Sequence, residues 1–334
     1  MQAYWKTLLR KGAACAALSL HAFAANAAEP APGAAAAVFP SRTVQIVVGF
    51  SPGGFPDIAA RFIAPALADF WKQQVIVENR PGGGSSVAAR LIAASPADGH
   101  MMLSTTAGHS AAPALYAKLG YDPAQDFSGV AILGTTPLLL VVAQNSDIRS
   151  LKDLIAQAKA RPGYINFASA GVGSNTHFAM EVFKSVAGIE MEHVAYKGIP
   201  EALTDTMTGR VQIFAAPLGN ALAMVKGAKL HALATTRAQR SPLLPEVPTI
   251  AESGLSFSWE TWFGLLVPSK TPRSIVAKLH ADITRALSQP SAAERWAALG
   301  AEMSRAAPEQ FDQTIRDEIN TFTRSARAAK IQPE

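Results

Sequence analysis

Val44-Gln45-Ile46-Val47-Val48 runs directly into Gly49-Phe50-Ser51-Pro52-Gly53-Gly54, and then into Phe55-Pro56-Asp57-Ile58-Ala59-Ala60-Arg61-Phe62-Ile63. The first five residues are mostly β-branched and apolar, and they read as a buried strand. The next six are turn-forming. After Asp57 the apolar residues Ile58, Ala59, Phe62, Ile63, Ala66 and Leu67 recur at helical spacing, with Asp57 as the expected N-cap. Strand, glycine turn and helix form the opening unit of a parallel sheet covered by helices.

The unit recurs along the chain. A strand at 75–78, the turn Asn79-Arg80-Pro81-Gly82-Gly83-Gly84, a helix at 87–94 and a strand at 101–104 complete a first α/β set. Strands at 130–133 and 138–142 and a helix at 151–159 follow. The pattern then restarts, with a strand at 165–168, the glycine turn Ser169-Ala170-Gly171-Val172-Gly173-Ser174 and a helix at 175–186. Further strands are expected at 191–194, 211–215 and 230–235, and a helix at 201–208. The last third reads as helices at 274–287, 292–299 and 308–329. With no sheet of their own, they must bury their apolar stripes on another domain. The expectation is an α/β protein of two lobes with a cleft between them: 40–142 with 255–334 as one lobe, and 143–254 as the other.

Composition agrees with a folded core. The 334 residues are 49% hydrophobic and 16% charged, which excludes a disordered chain, and one cysteine excludes a disulfide scaffold. Residues 1–27 carry Lys6, Arg10 and Lys11, then a small-apolar run, then Ala25-Asn26-Ala27, the pattern of a cleavable secretory leader. Residues 28–39 read as a disordered lead-in. Without the leader the formal charge of +5 loses three positive groups and becomes +2. A nearly neutral, cysteine-free, exported chain is not expected to bind nucleic acid.

Motifs for turnover are missing. The sequence has no G-x-S-x-G elbow, no H-E-x-x-H and no phosphate-binding G-x-x-x-x-G-K-[ST], and the histidines are scattered singly. Gly171-Val172-Gly173 lacks the third glycine of a dinucleotide fingerprint. Neither a cofactor nor a metal is expected. The two glycine turns are the positive signal, because each follows a strand and opens a helix. A helix start presents unpaired N–H groups and the positive end of the peptide dipoles, so it attracts anions. Four to six hydrogen bonds to a charged group are worth roughly 6–18 kcal/mol. Association costs on the order of 4–15 kcal/mol, so closure of the lobes must bury ligand carbon as well.

The motifs resemble those of the Bug-type receptors, the solute-binding components of tripartite tricarboxylate transporters. The resemblance is carried by Val47-Val48-Gly49-Phe50-Ser51-Pro52-Gly53-Gly54 with Asp57, by Val77-Glu78-Asn79-Arg80-Pro81-Gly82 and by Ala97-Asp98-Gly99. It continues through His109, the 169–177 loop, Val194-Ala195-Tyr196-Lys197-Gly198, Leu244-Pro245-Glu246-Val247-Pro248-Thr249 and Trp262-Phe263-Gly264-Leu265.

The resemblance implies a periplasmic binding protein of the type II class, closing on a small carboxylate for membrane transporter subunits; a monomer is expected. It places the ligand against Phe50, Ser51, Gly53, Gly54, Phe55 and Asp57 in the first lobe. In the second it points to Ser169, Gly171, Gly173, Ser174, Asn175, Thr176 and His177. Thr105, Thr106 and His109, after a strand end, are further candidates, and Tyr196-Lys197-Gly198 is the weakest. Phe55 replaces a residue that is usually small or polar, and reads either as a cleft wall favouring an apolar ligand body or as core. Asp57 is either helix cap or ligand contact. Trp259 and Trp262 are either cleft walls or interdomain core. Ala216 stands where many relatives carry an acid or amide, which argues against an amino-acid ligand. Two alternatives stay open here: a secreted enzyme pairing a histidine with a loop serine, and a ligand-loaded sensor for a membrane signalling protein.

Overall fold

The computed structural model describes residues 39–333. The expected leader and most of the lead-in lie outside the described residues. Phe39, the last residue assigned to that lead-in, is buried, with its ring 4.9 Å from His100 and 6.1 Å from Trp71. Among the described residues, packing starts with Phe39.

The first elements are β1 (Val44–Val48), α1 (Phe55–Trp71), β2 (Val75–Asn79), α2 (Ser86–Ala93), β3 (Met101–Thr106), α3 (Gly108–Leu115) and β4 (Phe127–Ala143). Next come α4 (Leu151–Ala160), β5 (Asn166–Ser169), α5 (Asn175–Ala187), β6 (Glu192–Ala195), α6 (Ile199–Met207), β7 (Ile213–Pro217), α7 (Leu218–Lys226) and β8 (Leu230–Thr235). The chain ends with β9 (Glu260–Pro268), α8 (Arg273–Leu287), α9 (Pro290–Ala298) and α10 (Pro308–Ala328).

Each lobe has a parallel nucleus. β1 lies between β2 and β3, and β5 lies between β6 and β7, all parallel to their neighbours. Antiparallel strands then join the two sets in the order β2-β1-β3-β9-β4-β7-β5-β6, with β8 also on β4. Val44, Ile46 and Val48 project into a core with α1 and α8, while Val47 packs on the opposite face with α2 and α10. Alternate residues of a strand point to opposite faces, and helices cover both, so a nearly continuous apolar run is what this position requires.

The separate strands expected at 130–133 and 138–142 are one 17-residue strand, β4. Gly134 and Pro137 favour a break by propensity. Instead Thr135 and Thr136 keep pairing with Trp262 and Thr261, and register shifts near Gly129 and Gly134 absorb the bend. Up to Pro137, β4 pairs with β9; from Leu138 it pairs with β7 and β8. Side chains divide at the same point. Val130 and Leu133 pack in the first lobe, whereas Leu138, Leu140, Val142 and Trp259 pack in the second. The chain therefore crosses within β4, earlier than the expected 142, and returns at the start of β9, later than the expected 254.

Helix α7 lies where no element is expected, starting at Leu218 directly after β7 ends at Pro217. The C-terminal helices behave as expected. Ile275, Leu279 and Trp296 join the first core, and Phe311 and Ile315 join its other face. The far end of α10 reaches across, with Phe322 5.0 Å from Phe178 and 5.3 Å from Trp259.

Candidate functional site

The carboxyl ends of β1, β3, β5 and β7 point to one place. In an open α/β sheet the crevice beyond such strand ends, where connections leave to opposite sides, is the natural ligand position. A cavity of about 30 Å³ lies there. Phe50 and Gly54 border it after β1, Thr106 at the end of β3, Ala170 and Ser174 after β5, and Pro217 at the end of β7. The crossing strands add Thr136 from β4 and Thr261 and Phe263 from β9. That volume holds about two waters, so the lobes are closed, and an organic acid enters only if they part or the lining shifts.

Among the described residues, no charged side chain lines the cavity. Its polar groups are neutral. The N–H groups of Gly54 and Phe55 at the start of α1, and of Asn175 and Thr176 at the start of α5, have no acceptor among the described residues. All four residues border the cavity. Other loop amides are already used: Ser51 donates to Lys197 O, Gly53 to Asp57 Oδ2, Gly171 to Ser169 Oγ and Gly173 to His177 Nδ1. Of the hydroxyls, Thr106 Oγ1 accepts from Gly108 N and keeps its proton for a ligand. Thr136 and Thr261 reach only a neighbouring carbonyl, at 3.3 and 3.2 Å.

The sequence candidates thus divide. Phe50, Gly54, Phe55, Thr106, Ser174, Asn175 and Thr176 border the cavity. Ser51, Gly53, Asp57, Thr105, His109, Ser169, Gly171, Gly173 and His177 do not. Asp57 is the third residue of α1, and the cap position belongs to Gly54. Its buried carboxylate takes Gly53 N–H, Arg61 Nε and Asn79 Nδ2, while Asn79 also donates to Phe50 O. Asp57 and Asn79 therefore brace the loop, and Asp57 is not the expected helix cap.

β3 runs through Thr106, so Thr105 and Thr106 lie within the strand and face opposite ways. Thr105 donates to Ser85 Oγ, away from the cavity. His109 stacks on Tyr121 at 5.7 Å with Nε2 3.2 Å from Pro123 O. Burial lowers its pKa to about 4, so it is a neutral core residue. Ser174 caps α5 by accepting from His177 N at 3.2 Å, and Thr176 Oγ1 accepts from Ala170 N at 2.9 Å. Trp259 donates to Asn175 Oδ1 and Trp262 to Glu318 Oε2, and both pack as core, not as cleft wall. Phe55 is wall and core at once, bordering the cavity with its ring 4.9 Å from Phe263.

Sequence reasoning missed Thr136, Thr261, Phe263, Ile199 and Pro217. Pro217 ends a parallel strand as Thr106 does, and the strand-end rule reaches it once β7 extends to 217. Thr136 and Thr261 are directly paired in register; no local pattern marks them, because the crossing strands bring them there.

The serine–histidine pair that an enzyme would need does occur, with Ser169 Oγ 2.6 Å from His193 Nε2. Ser169 is fully buried, outside the cavity, and its oxygen already accepts from Gly171 N. The comparisons point the same way. The profile of the tripartite tricarboxylate transporter family receptor matches residues 59–329. The chain belongs to that receptor family. Protein BugT of Bordetella pertussis is 35% identical over 303 residues, spanning 90% of this chain and 93% of BugT. Among solved structures, Rpa4515 of Rhodopseudomonas palustris with adipate is 33% identical, with a TM-score of 0.83 over 89% of this chain and all of the other. MatC (Rpa3494) of the same organism, with bound malate, is also 33% identical, with a TM-score of 0.83 over 86% of this chain and all of MatC. The family consists of solute receptors with this two-lobe fold. The receptor reading stands, and the enzyme alternative falls.

Proposed function

We propose that this family member captures a small organic acid with an apolar body, in the periplasm, and presents it to the membrane subunits of a tripartite transporter. One carboxylate is received by the N–H groups of Gly54, Phe55, Asn175 and Thr176 and by the hydroxyls of Thr106, Thr136 and Thr261. The carbon body lies against Phe50, Phe55 and Phe263. Expected leader cleavage delivers the receptor to the periplasm, and no described helix is long and apolar enough to cross a membrane. It works as a monomer.

The observation that carries this reading is the meeting of two helix starts, with four amides that find no acceptor among the described residues, at one cavity without charged lining there. Preorganised neutral donors in a water-poor site hold a carboxylate without a counter-ion. Ligand bridges both lobes only when they meet, so it selects the closed state. The relatives solved with adipate and with malate support the acid class. The aromatic lining of this chain favours the methylene body of adipate over the hydroxyl of malate.

Titration calorimetry of residues 28–334 with adipate, malate and benzoate tests the reading, with proton NMR of the recovered acid. The expected result is saturable one-to-one binding of an apolar acid that is returned unchanged. Absence of binding across a wider carboxylate panel, or chemical conversion of a bound acid, overturns it.

A further inference from the structure

Two histidines outside the cavity are unexplained by ligand contact. The rings of His177, on α5, and His193, on β6, stack with centroids 3.8 Å apart and planes 8° from parallel. Phe167 stacks on His193 at 4.9 Å. Each ring is bonded to the glycine loop of the second lobe. His177 Nδ1 accepts from Gly173 N at 3.4 Å, and His193 Nε2 meets Ser169 Oγ, which itself accepts from Gly171 N.

We propose that His177 and His193 are positioning residues for ligand binding: a stacked, uncharged pair whose ring nitrogens hold residues 169–174 in the shape that opens the Asn175 and Thr176 amides to the cleft. The inference rests on the cavity being the ligand site.

Hydrogen-bond direction fixes the role of His177. A peptide N–H only donates, so His177 Nδ1 carries a lone pair and its proton sits on Nε2. That Nε2 lies 3.9 Å from Glu181 Oε1. Ser169 Oγ accepts from Gly171 N and lies 2.6 Å from His193 Nε2, a bond in which either partner can be the donor. Gly171 and Gly173 have φ of +114° and +78°, conformations open chiefly to glycine. Glycine makes the loop possible and also pliable, so bonds from outside must set it. The loop leads straight into the first turn of α5, where Asn175 and Thr176 offer their N–H groups.

The rings border a second, polar pocket of about 550 Å³ on the outer side of the lobe. The charged groups facing them there are Glu181 and Lys184 from α5, Glu190 before β6 and Lys330 after α10. Burial, the neighbouring ring and Lys184 lower His177 to about 3, and burial and Lys184 lower His193 to about 4. Protonation of His177 Nδ1 turns it into a donor facing the Gly173 N–H and breaks that bond, while protonated His193 can only donate to Ser169 Oγ and puts a positive charge beside its partner ring. The folded values lie below the ordinary 6.5. The pair's contribution is therefore complete above about 6.5 and lost as pH falls through about 4 for His193 and about 3 for His177.

Substitution separates acceptor from packing. His177→Asn and His193→Gln put an oxygen near the accepting nitrogen, whereas His177→Leu and His193→Leu remove it. Amide hydrogen exchange at Gly171 and Gly173 is read in ligand-free protein, and adipate affinity by calorimetry from pH 8 to 4. The leucine variants should exchange at these glycines about tenfold faster and bind adipate about tenfold more weakly, while the Asn and Gln variants stay within about threefold. The wild-type affinity should fall below pH 5 more steeply than that of the Asn/Gln double variant. Folded leucine variants with unchanged glycine exchange overturn the proposal, as do Asn and Gln variants that lose as much as leucine. If the leucine variants do not fold, glycine protection in the Asn and Gln variants supports the proposal and its loss overturns it. If wild-type protein does not bind adipate, the ligand reading is at fault, and the exchange measurement still decides the role of the pair.

Discussion

Ser51 Oγ, on the opening loop of the first lobe, donates to Glu201 Oε1, on α6 of the second, at 2.6 Å. Ser51 N to Lys197 O at 3.3 Å and Asn220 Nδ2 to Gly53 O at 2.8 Å join the same edges. These bonds exist only when the lobes meet, so they bias the hinge toward closure before any ligand contact is counted. Glu201 is exposed, and water competes for it, so the bond is worth about 1 kcal/mol. Ser51→Ala should weaken ligand about fivefold and enlarge the free protein in small-angle scattering, with the thermal midpoint lowered by no more than about 2–4 °C. Unaltered affinity would show that the bond does not bear on closure.

Gly108 tests closure more severely. A Cβ there would lie 2.7 Å from Asn175 N, across the lobe boundary, and one at Gly84 would lie 2.4 Å from Ser174 N and Val172 O. Gly108 opens α3, where alanine is favoured over glycine by about 1 kcal/mol. Gly108→Ala should therefore leave the first lobe as stable as before and wedge the closed form apart. The expected outcome is ligand affinity lowered by more than about tenfold, with a larger radius of gyration at saturating acid. A variant that closes and binds normally refutes the tight approach.

The strand–glycine–helix units were legible because their signals are local: β-branched runs, glycines at strand ends, helical spacing after Asp57. Ser174 and Thr176 were legible for the same reason, since a residue at a helix start is marked by its neighbours in the chain. The crossing strands were not. Gly134 and Pro137 carry local breaking tendencies, which pairing with β9 overrides, and the site threonines 136 and 261 depend on that pairing. His109, His177 and Asp57 stand in site motifs yet turn away from the cavity. Sequence position cannot tell a side chain that meets ligand from one that braces the loop behind it.

Phe55 bears on ligand choice. It borders the cavity, and its ring meets Phe263 at 4.9 Å. Phe55→Leu removes ring surface from the expected position of the acid's carbon body, where each buried methylene is worth about 0.8 kcal/mol. The ratio of adipate to malate affinity should fall about three- to tenfold, with malate itself little affected. Calorimetry with both acids on both proteins reads this directly. An unchanged ratio removes Phe55 from specificity and leaves it as core.

Glu318 gives a prediction independent of ligand. It lies on α10 and accepts from Trp262 Nε1 at 2.8 Å. Burial outweighs that bond and pushes its carboxyl from 4.5 up to about 7. The folded state therefore holds this proton more tightly than the unfolded chain. Stability from the protonated group is complete below about 4.5, is lost as pH rises through 7, and above that leaves a constant cost of about 3 kcal/mol. Glu318→Gln keeps an acceptor for Trp262 and abolishes the charge. Its urea midpoint should exceed wild type at pH 8 by the equivalent of about 2–3 kcal/mol, and match wild type near pH 4.5. A gain of equal size at both pH values would mean that the glutamine packs better for some other reason, and a loss at pH 8 would mean that the carboxylate is welcome where it lies.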